Sequence, residues 1–369
     1  MRRIVIFAPH YAEYATRLAI GLAKKANVLL LLDRRNRQNE CDQHLLDEAK
    51  AYLQIVEFGS SGRKERIWSL IKIVFKIVLF RPDIVNIQEE EGSFAIWVTR
   101  IIARLYPVLL TVHDPVPHTG TDYNYVEKNL SKRAETRTLV KAFHVHGQYC
   151  HNQLVQQIGG NRPILDVPHG VILVPQADQL SSFKPGRILL FGRMEAYKGV
   201  GVLLDAADIL RKRGVHFHLV LAGRGPELVH FASRLGQHSD IEVIERFLTP
   251  AEAIKEFQKS QIVVLPYLNA TQSGVAAAAF ANGRGVIVSN TGGLAEIVQE
   301  GVNGLIIDSG RAIALADALE TILTDTDLAK KLCDGAKAFA STHLNWDMIA
   351  DKMLEFDAVH ISLQKGNSR

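Results

Sequence analysis

The chain has 369 residues, more than one hydrophobic core usually serves, so two domains of ordinary size are expected. Hydrophobic residues make up 47% and charged residues 22%, a globular composition; a net charge of only +4 is too small to imply a nucleic-acid partner, and none is expected, while it suits anionic ligands or an anionic membrane surface. Cys41, Cys150 and Cys333 are odd in number and far apart, with no disulfide framework or metal-ligand spacing, which predicts a reducing, cytoplasmic setting.

In chain order, Arg2 and Arg3 precede a short apolar run that Pro9-His10-Tyr11 interrupts, so 4–8 reads as a first strand and not as a leader. A helix at 12–25 follows, then strands at 28–32 and 53–58, a helix at 66–80, a strand at 83–87, a helix near 94–105 and a strand at 108–112. Strands at 142–146 and 164–167 complete the first half. After Pro168-His169-Gly170 the alternation restarts, with strands at 187–191, 217–222, 241–244, 262–265, 286–289 and 305–307. Helices fit between them at about 200–213, 228–235, 250–257, 274–282 and 313–323. Continuous apolar strands alternating with helices indicate parallel sheets covered on both faces. Two such series, joined near 168–186, predict two Rossmann-like domains facing each other across a cleft, with ligands at the carboxyl ends of the strands. The expected division is 1–172, 173–345 and a C-terminal helix at 346–369 that returns to the first domain and ends in a polar tail at 365–369.

The most informative stretch is Phe191-Gly192-Arg193-Met194-Glu195-Ala196-Tyr197-Lys198-Gly199, which follows a strand and opens a helix. The arginine fork and the lysine point charge both suit phosphate oxygens, and the helix N-terminus adds roughly half a positive charge. The alternative is a pair of solvated loop charges. Tyr267-Leu268-Asn269-Ala270-Thr271-Gln272-Ser273-Gly274-Val275 lies between an apolar strand and an alanine-rich helix, where small residues let backbone N–H groups approach an anion. Gly223-Arg224-Gly225 and Gly292-Gly293-Leu294-Ala295-Glu296 also follow strands. Alone, each of these is only a turn; together they predict one anion-binding cleft.

These motifs resemble the retaining glycosyltransferases of family 4 (group 1), which have the GT-B fold. A Gly-Arg-x-x-x-x-Lys-Gly segment grips the donor diphosphate in that family, and Arg193 and Lys198 occupy those positions. Gly292-Gly293-x-x-Glu296-Ile297-Val298 and Gly301-x-x-Gly304-Leu305 match it as well, and the likeness is densest over 188–307. The family usually carries two glutamates eight positions apart, the second holding the donor ribose; here Ala270 and Ala278 stand there. The segment is similar to the family's Ser/Thr-Gln-Ser-Gly variant, with Glu296 as a substitute for the ribose contact. The resemblance implies transfer of a hexose from a UDP- or GDP-sugar, with retention and with neither metal nor cofactor. The acceptor is a glycolipid, an oligosaccharide or a polysaccharide intermediate. It further implies donor contacts from Gly192, Gly223, Thr271, Gln272, Ser273, Gly274 and Val275, and base contacts from the backbone near Arg246, Phe247 and Leu248. The alternatives are a nucleotide-sugar epimerase of the same fold and a degenerate nucleotide-sugar-binding protein.

In the first half, Thr111-Val112-His113-Asp114-Pro115 ends a strand, and family members place a histidine from such a position near the transferred sugar; the alternative is His113 held by Asp114 as a structural pair. His10, Tyr11 and Glu13 follow the first strand and are expected to line the acceptor side, although the family's usual glycines are missing from this loop. His144 and His146 share a strand face without a third convergent ligand, too few for a metal site. The stretch 63–81 is basic and amphipathic, too charged to span a bilayer. It predicts either an ordinary crossover helix or a peripheral contact with the inner face of the membrane.

Overall fold

The computed structural model describes residues 1–90, 92–116, 128–175 and 182–362; the tail at 365–369 and part of the junction at 168–186 lie outside these. Among the described residues, two compact units emerge. One holds the residues up to 116 together with 128–170 and 345–362, and the other holds 171–175 and 182–344.

The first unit is a seven-stranded parallel sheet in the order β3-β2-β1-β4-β5-β6-β7. Its strands are β1 (Arg3–Ala8), β2 (Asn27–Asp33), β3 (Gln54–Phe58), β4 (Ile84–Gln88), β5 (Val108–Thr111), β6 (Ala142–Val145) and β7 (Ile164–Asp166). The helices between them are α1 (Ala12–Ala23), α2 (Arg34–Glu40), α3 (Gln43–Tyr52), α4 (Arg63–Phe80), α5 (Ser93–Leu105), α6 (Leu130–Leu139) and α7 (Gln148–Ile158). Val5, Phe7, Val85, Ile87 and Phe143 pack on Ile73, Ile77, Phe94 and Val98 of α4 and α5. The other face carries polar side chains in register, Gln88 opposite Thr111 and Thr111 opposite His144. A buried polar row on a sheet otherwise built from Val, Ile and Leu is costly unless bonded, and it marks where the unit departs from simple packing.

The second unit is a six-stranded parallel sheet in the order β10-β9-β8-β11-β12-β13. It comprises β8 (Arg187–Phe191), α8 (Val200–Lys212), β9 (His218–Ala222), α9 (Pro226–His230), α10 (Ala232–Leu235), β10 (Ile241–Ile244), α11 (Pro250–Lys259), β11 (Ile262–Leu265), α12 (Gly274–Ala281), β12 (Val286–Ser289), β13 (Gly304–Ile307), α13 (Ala312–Thr324) and α14 (Thr326–His343). Both faces of the sheet are covered by apolar side chains. The helix α12 is apolar all round, as a fully enclosed helix must be, and Ala276 to Phe280 are buried. The final helix α15 (Trp346–Asp357) belongs to the first unit, where it packs on α1. A Cβ at Gly21 would lie 2.7 Å from the Trp346 carbonyl oxygen, so the close helix crossing depends on glycine there.

Two expectations need correction. The helix predicted at 228–235 is two short helices, interrupted at Phe231, whose φ of −99° and ψ of 13° leave the helical region. The continuous helix predicted from 346 ends at Asp357 and widens into a π turn over Ala358–Ser362. Helices α2, α3, α6, α7 and α14 have no counterpart among the predicted elements. No residue of α2 is buried, and α6 buries Arg133, Thr136 and Arg137, so neither shows an apolar period.

Candidate functional site

In the second unit, the loops after β8, β9, β11 and β12 are locked together by backbone crossings. Gly192 leaves β8 at φ 112°, and its N–H donates to the Ala222 carbonyl at 3.0 Å. A Cβ at Gly223 would fall 1.8 Å from the Gly192 oxygen, and one at Gly225 would fall 2.4 Å from the Met194 oxygen. The Gly223-Arg224-Gly225 turn therefore exists first to let two chains cross, and the Met194 N–H seals the crossing on the Arg224 carbonyl at 3.0 Å.

The next turn, a 3-10 segment at Ala196–Lys198, ends on Gly199 in the left-handed region, pressed against Pro266. Leu268 N–H donates to the Tyr197 carbonyl at 2.7 Å and ties this turn to the loop after β11. Lys198 is buried as a result. Its Nζ donates to Tyr267 Oη and lies 4.1 Å from that ring's centre. Burial pushes the Tyr267 phenol well above its usual range, while a hydrogen bond with the Ser273 side chain acts the other way. Lys198 Nζ is 3.6 Å, and a Val275 methyl 3.8 Å, from the point where a Gly192 Cβ would sit. The ammonium is thus gathered with the Gly192 turn and the first turn of α12. That helix opens with no side-chain cap at Ser273, so its leading N–H groups and positive dipole end are available to an anion.

Thr271 is buried, and its carbonyl accepts from Gly293 N–H at 3.2 Å, bringing the turn that bears Glu296 alongside. The Gln272 Oε1 is buried with no hydrogen-bond partner among the described residues. Arg193 and Glu296 are exposed. Further along, Arg246 forks onto the Glu252 carboxylate at 2.8 and 2.9 Å, so its side chain is engaged within the unit. Leu248 is buried, whereas the Phe247 ring is 60% exposed beneath the Arg224 guanidinium. Ala270 and Ala278 are buried core residues.

In the first unit the carboxyl ends of β1, β4, β5, β6 and β7 bring a ring of aromatic side chains together. His113 is 2% exposed and both its ring nitrogens are engaged, Nε2 with Gln88 Oε1 at 2.8 Å and Nδ1 with His146 Nε2 at 3.2 Å. These contacts engage both ring nitrogens, while the Asp114 charge acts on the ring against the effect of burial. Gln88 is itself fixed by donation to Asn86 Oδ1 at 2.6 Å. His146 Nδ1 lies 3.4 Å from the Val167 carbonyl. The run from Gln88 through both imidazoles to Val167 has three contacts, and two neutral rings supply two hydrogens, which leaves the longest contact unfilled.

Tyr11 sits at φ 59°, ψ 51°, a left-handed conformation that costs a side-chain-bearing residue about 1–2 kcal/mol. Its ring stacks on His113 at 3.8 Å, and His10 stacks on it in turn at 4.6 Å. Glu13 is drawn aside to Arg17 at 2.8 Å. Tyr14 meets His113, His146, His169 and Trp346 with its ring.

Burial lowers the pKa of four buried histidines here: His113 and His146 fall well below the usual value, His144 to about 3 and His169 to about 4. All four are neutral at physiological pH. His144 Nε2 is buried without a hydrogen-bond partner among the described residues, and His169 too has one ring nitrogen outside its hydrogen bond. The His169 Nδ1–H donates to the Gly170 carbonyl at 2.7 Å, which sets the tautomer and leaves Nε2 as an acceptor. Neither His169 nor Gln88 nor Tyr14 is among the residues that sequence reasoning selected. The available signal was position, since Pro168-His169-Gly170 directly follows a strand. Among the described residues, no three His, Cys, Asp or Glu side chains gather as a metal-binding set.

The two parallel Rossmann-like sheets define the class of molecule: the chain has the GT-B fold. Sucrose-phosphate synthase from Thermosynechococcus elongatus superposes with a TM-score of 0.73 at 18% identity, covering 97% of this chain and 98% of that one. HepE from Anabaena, solved in complex with UDP-glucose, superposes with a TM-score of 0.71 at 17% identity, covering 96% and 100%. Within this chain, residues 185–325 match the family described as glycosyl transferases group 1. A curated relative, the D-inositol 3-phosphate glycosyltransferase of Corynebacterium urealyticum, is 26% identical over 280 residues, 66% of this chain and 64% of its own length. The chain spans less than two thirds of the length of the curated relatives it matches.

Proposed function

We propose that this protein is a retaining hexosyltransferase, moving a sugar from a nucleoside-diphosphate donor, UDP- or GDP-linked, to a hydroxyl of a glycolipid, oligosaccharide or polysaccharide intermediate. The observation that carries the reading is the buried Lys198 ammonium held beside the Gly192 turn and the uncapped first turn of α12. A cation removed from water beside an uncapped helix N-terminus suits a multiply charged anion. The match of residues 185–325 to group 1 glycosyl transferases and the names of the relatives support a glycosyl donor as that anion.

As the anomeric bond lengthens, negative charge grows on the leaving diphosphate while the sugar becomes cationic. Lys198, Arg193 and the first N–H groups of α12 stabilise the phosphate side in this scheme. The orphaned Gln272 Oε1 accepts from a donor hydroxyl or base N–H, and the exposed Phe247 ring offers a stacking surface beside the backbone of 246–248. Retention is assigned to attack from the face the diphosphate leaves, with no covalent intermediate. Protein cations take the place of a metal, so activity is expected to persist in excess chelator.

On the acceptor side, His113 has no ring nitrogen left for a ligand, and His169 Nε2 takes over as acceptor of a substrate hydroxyl proton in a hydrogen bond.

The test is release of free nucleoside diphosphate from UDP- and GDP-sugars, with and without a panel of hydroxyl acceptors. Acceptor-dependent release supports transfer. Conversion of donor to an isomeric sugar nucleotide without acceptor contradicts it and favours an epimerase.

A further inference from the structure

The helix α4 has two apolar faces. Ser69, Ile73, Ile77 and Phe80 turn inward onto the sheet, whereas Ile67, Trp68, Ile71, Phe75, Val78 and Leu79 are exposed, between 44 and 72% of each surface open. At 100° per residue the second group falls within a stripe of about 120° on the side opposite the buried one. Its neighbour α5, packed against it, adds exposed Trp97 and Leu105. Single exposed apolar residues are ordinary; a stripe of six along one helix, with a tryptophan and a phenylalanine in it and a further tryptophan exposed on the neighbouring helix, is not.

The charge around the stripe selects what covers it. Residues 63–81 hold six cations, Arg63, Lys64, Arg66, Lys72, Lys76 and Arg81, against one carboxylate, Glu65, a net of +5 where the whole chain carries +4. Glu65 is paired with Arg34 at 3.5 Å. A second copy docked face to face would bring these cations against themselves. An anionic bilayer surface matches both features, accepting the apolar stripe at the acyl boundary and the lysine and arginine heads among its phosphates. None of the helices among the described residues is long and apolar enough to cross the membrane, so the contact is one of lying on the surface.

We infer that α4, with the exposed edge of α5, is an anionic-membrane docking surface, seated in the plane of the bilayer through Trp68, Phe75 and Leu79 and oriented by Lys64 and Lys76. The inference is independent of the transfer reaction: a protein with no glycosyltransferase activity could still bind vesicles, and an active one could fail to.

Vesicle flotation of the full chain tests it. Binding is expected to vesicles of phosphatidylcholine containing about 30% phosphatidylglycerol, to weaken in high salt, and to be at least tenfold weaker on phosphatidylcholine alone. The exposed positions permit Trp68→Ser with Phe75→Ser, and separately Lys64→Glu with Lys76→Glu, with an unchanged melting temperature confirming the fold. Each pair is expected to reduce binding at least tenfold. Absence of wild-type binding to anionic vesicles, binding undiminished in both double variants, or a lipid-free dimer abolished by the Trp68→Ser, Phe75→Ser pair would each overturn it.

Discussion

At the scale of single residues, Lys198 and Arg193 separate by environment. Lys198 is buried and its ammonium already anchored by Tyr267, so its position is paid for by the fold and a ligand meets it without ordering cost. Arg193 is exposed. Lys198→Ala should therefore weaken nucleoside-diphosphate binding by about 10–100-fold, as loss of a charge-assisted bond does, measured by calorimetry with UDP and GDP. Arg193→Ala should lower turnover on the order of a hundredfold at saturating donor, and unchanged turnover would remove it from the charge-stabilising set. The two cations were legible in the sequence as a spacing after a strand. Their unequal burial was not, because it depends on Pro266 and Leu268 folding over the turn from a distant loop. That both nitrogens of His113 are engaged was illegible for the same reason, since Gln88 and His146 arrive from other parts of the sheet.

At the scale of elements, the histidine cluster couples the first unit to pH. Each of His113, His144, His146 and His169 has its folded-state pKa below the ordinary 6.5, so their contribution to stability is complete above that value. As pH falls from 6.5 toward 4, the unfolded chain binds protons that the folded one refuses, at up to about 1.4 kcal/mol per pH unit per group. Asp357 acts in the opposite sense: burial raises it to about 7, so its contribution is lost as pH rises through that value. Asp166, which burial also raises, acts with it, and two carboxyls against four imidazoles leave a net loss in acid. Trp68, Trp97 and Trp346, all three tryptophans of the chain, lie in the first unit, so tryptophan fluorescence reports its unfolding separately. The expected result is a melting temperature that falls steadily from pH 6.5 to pH 4.5, and a flat profile would refute the buried neutral cluster. The strands themselves were readable as continuous apolar runs. Helix α6 was not, because it buries arginines against Glu89, with Arg137 at 2.7 Å, in place of apolar side chains.

At the scale of the whole molecule, the two units repeat one architecture with different investments at the strand ends. The first places neutral aromatic side chains there, and the second places glycine turns, a buried ammonium and an open helix terminus. The doubly repeated alternation of strand and helix made this fold class legible, since parallel sheets covered on both faces leave a strong apolar rhythm. The exposed stripe on α4 was half legible: its basic amphipathic character shows in the sequence, but only the packing reveals that Ile73 and Ile77 are the residues turned inward, leaving Trp68 and Phe75 out. The central claim is that the second unit binds a nucleoside diphosphate at Lys198 and α12. Its most direct measurement is isothermal titration of the full chain with UDP and with GDP. The account predicts a single site for at least one of them, weakened at least tenfold in Lys198→Ala at unchanged melting temperature. Heat from neither nucleotide, or equal affinity in the variant, would contradict it.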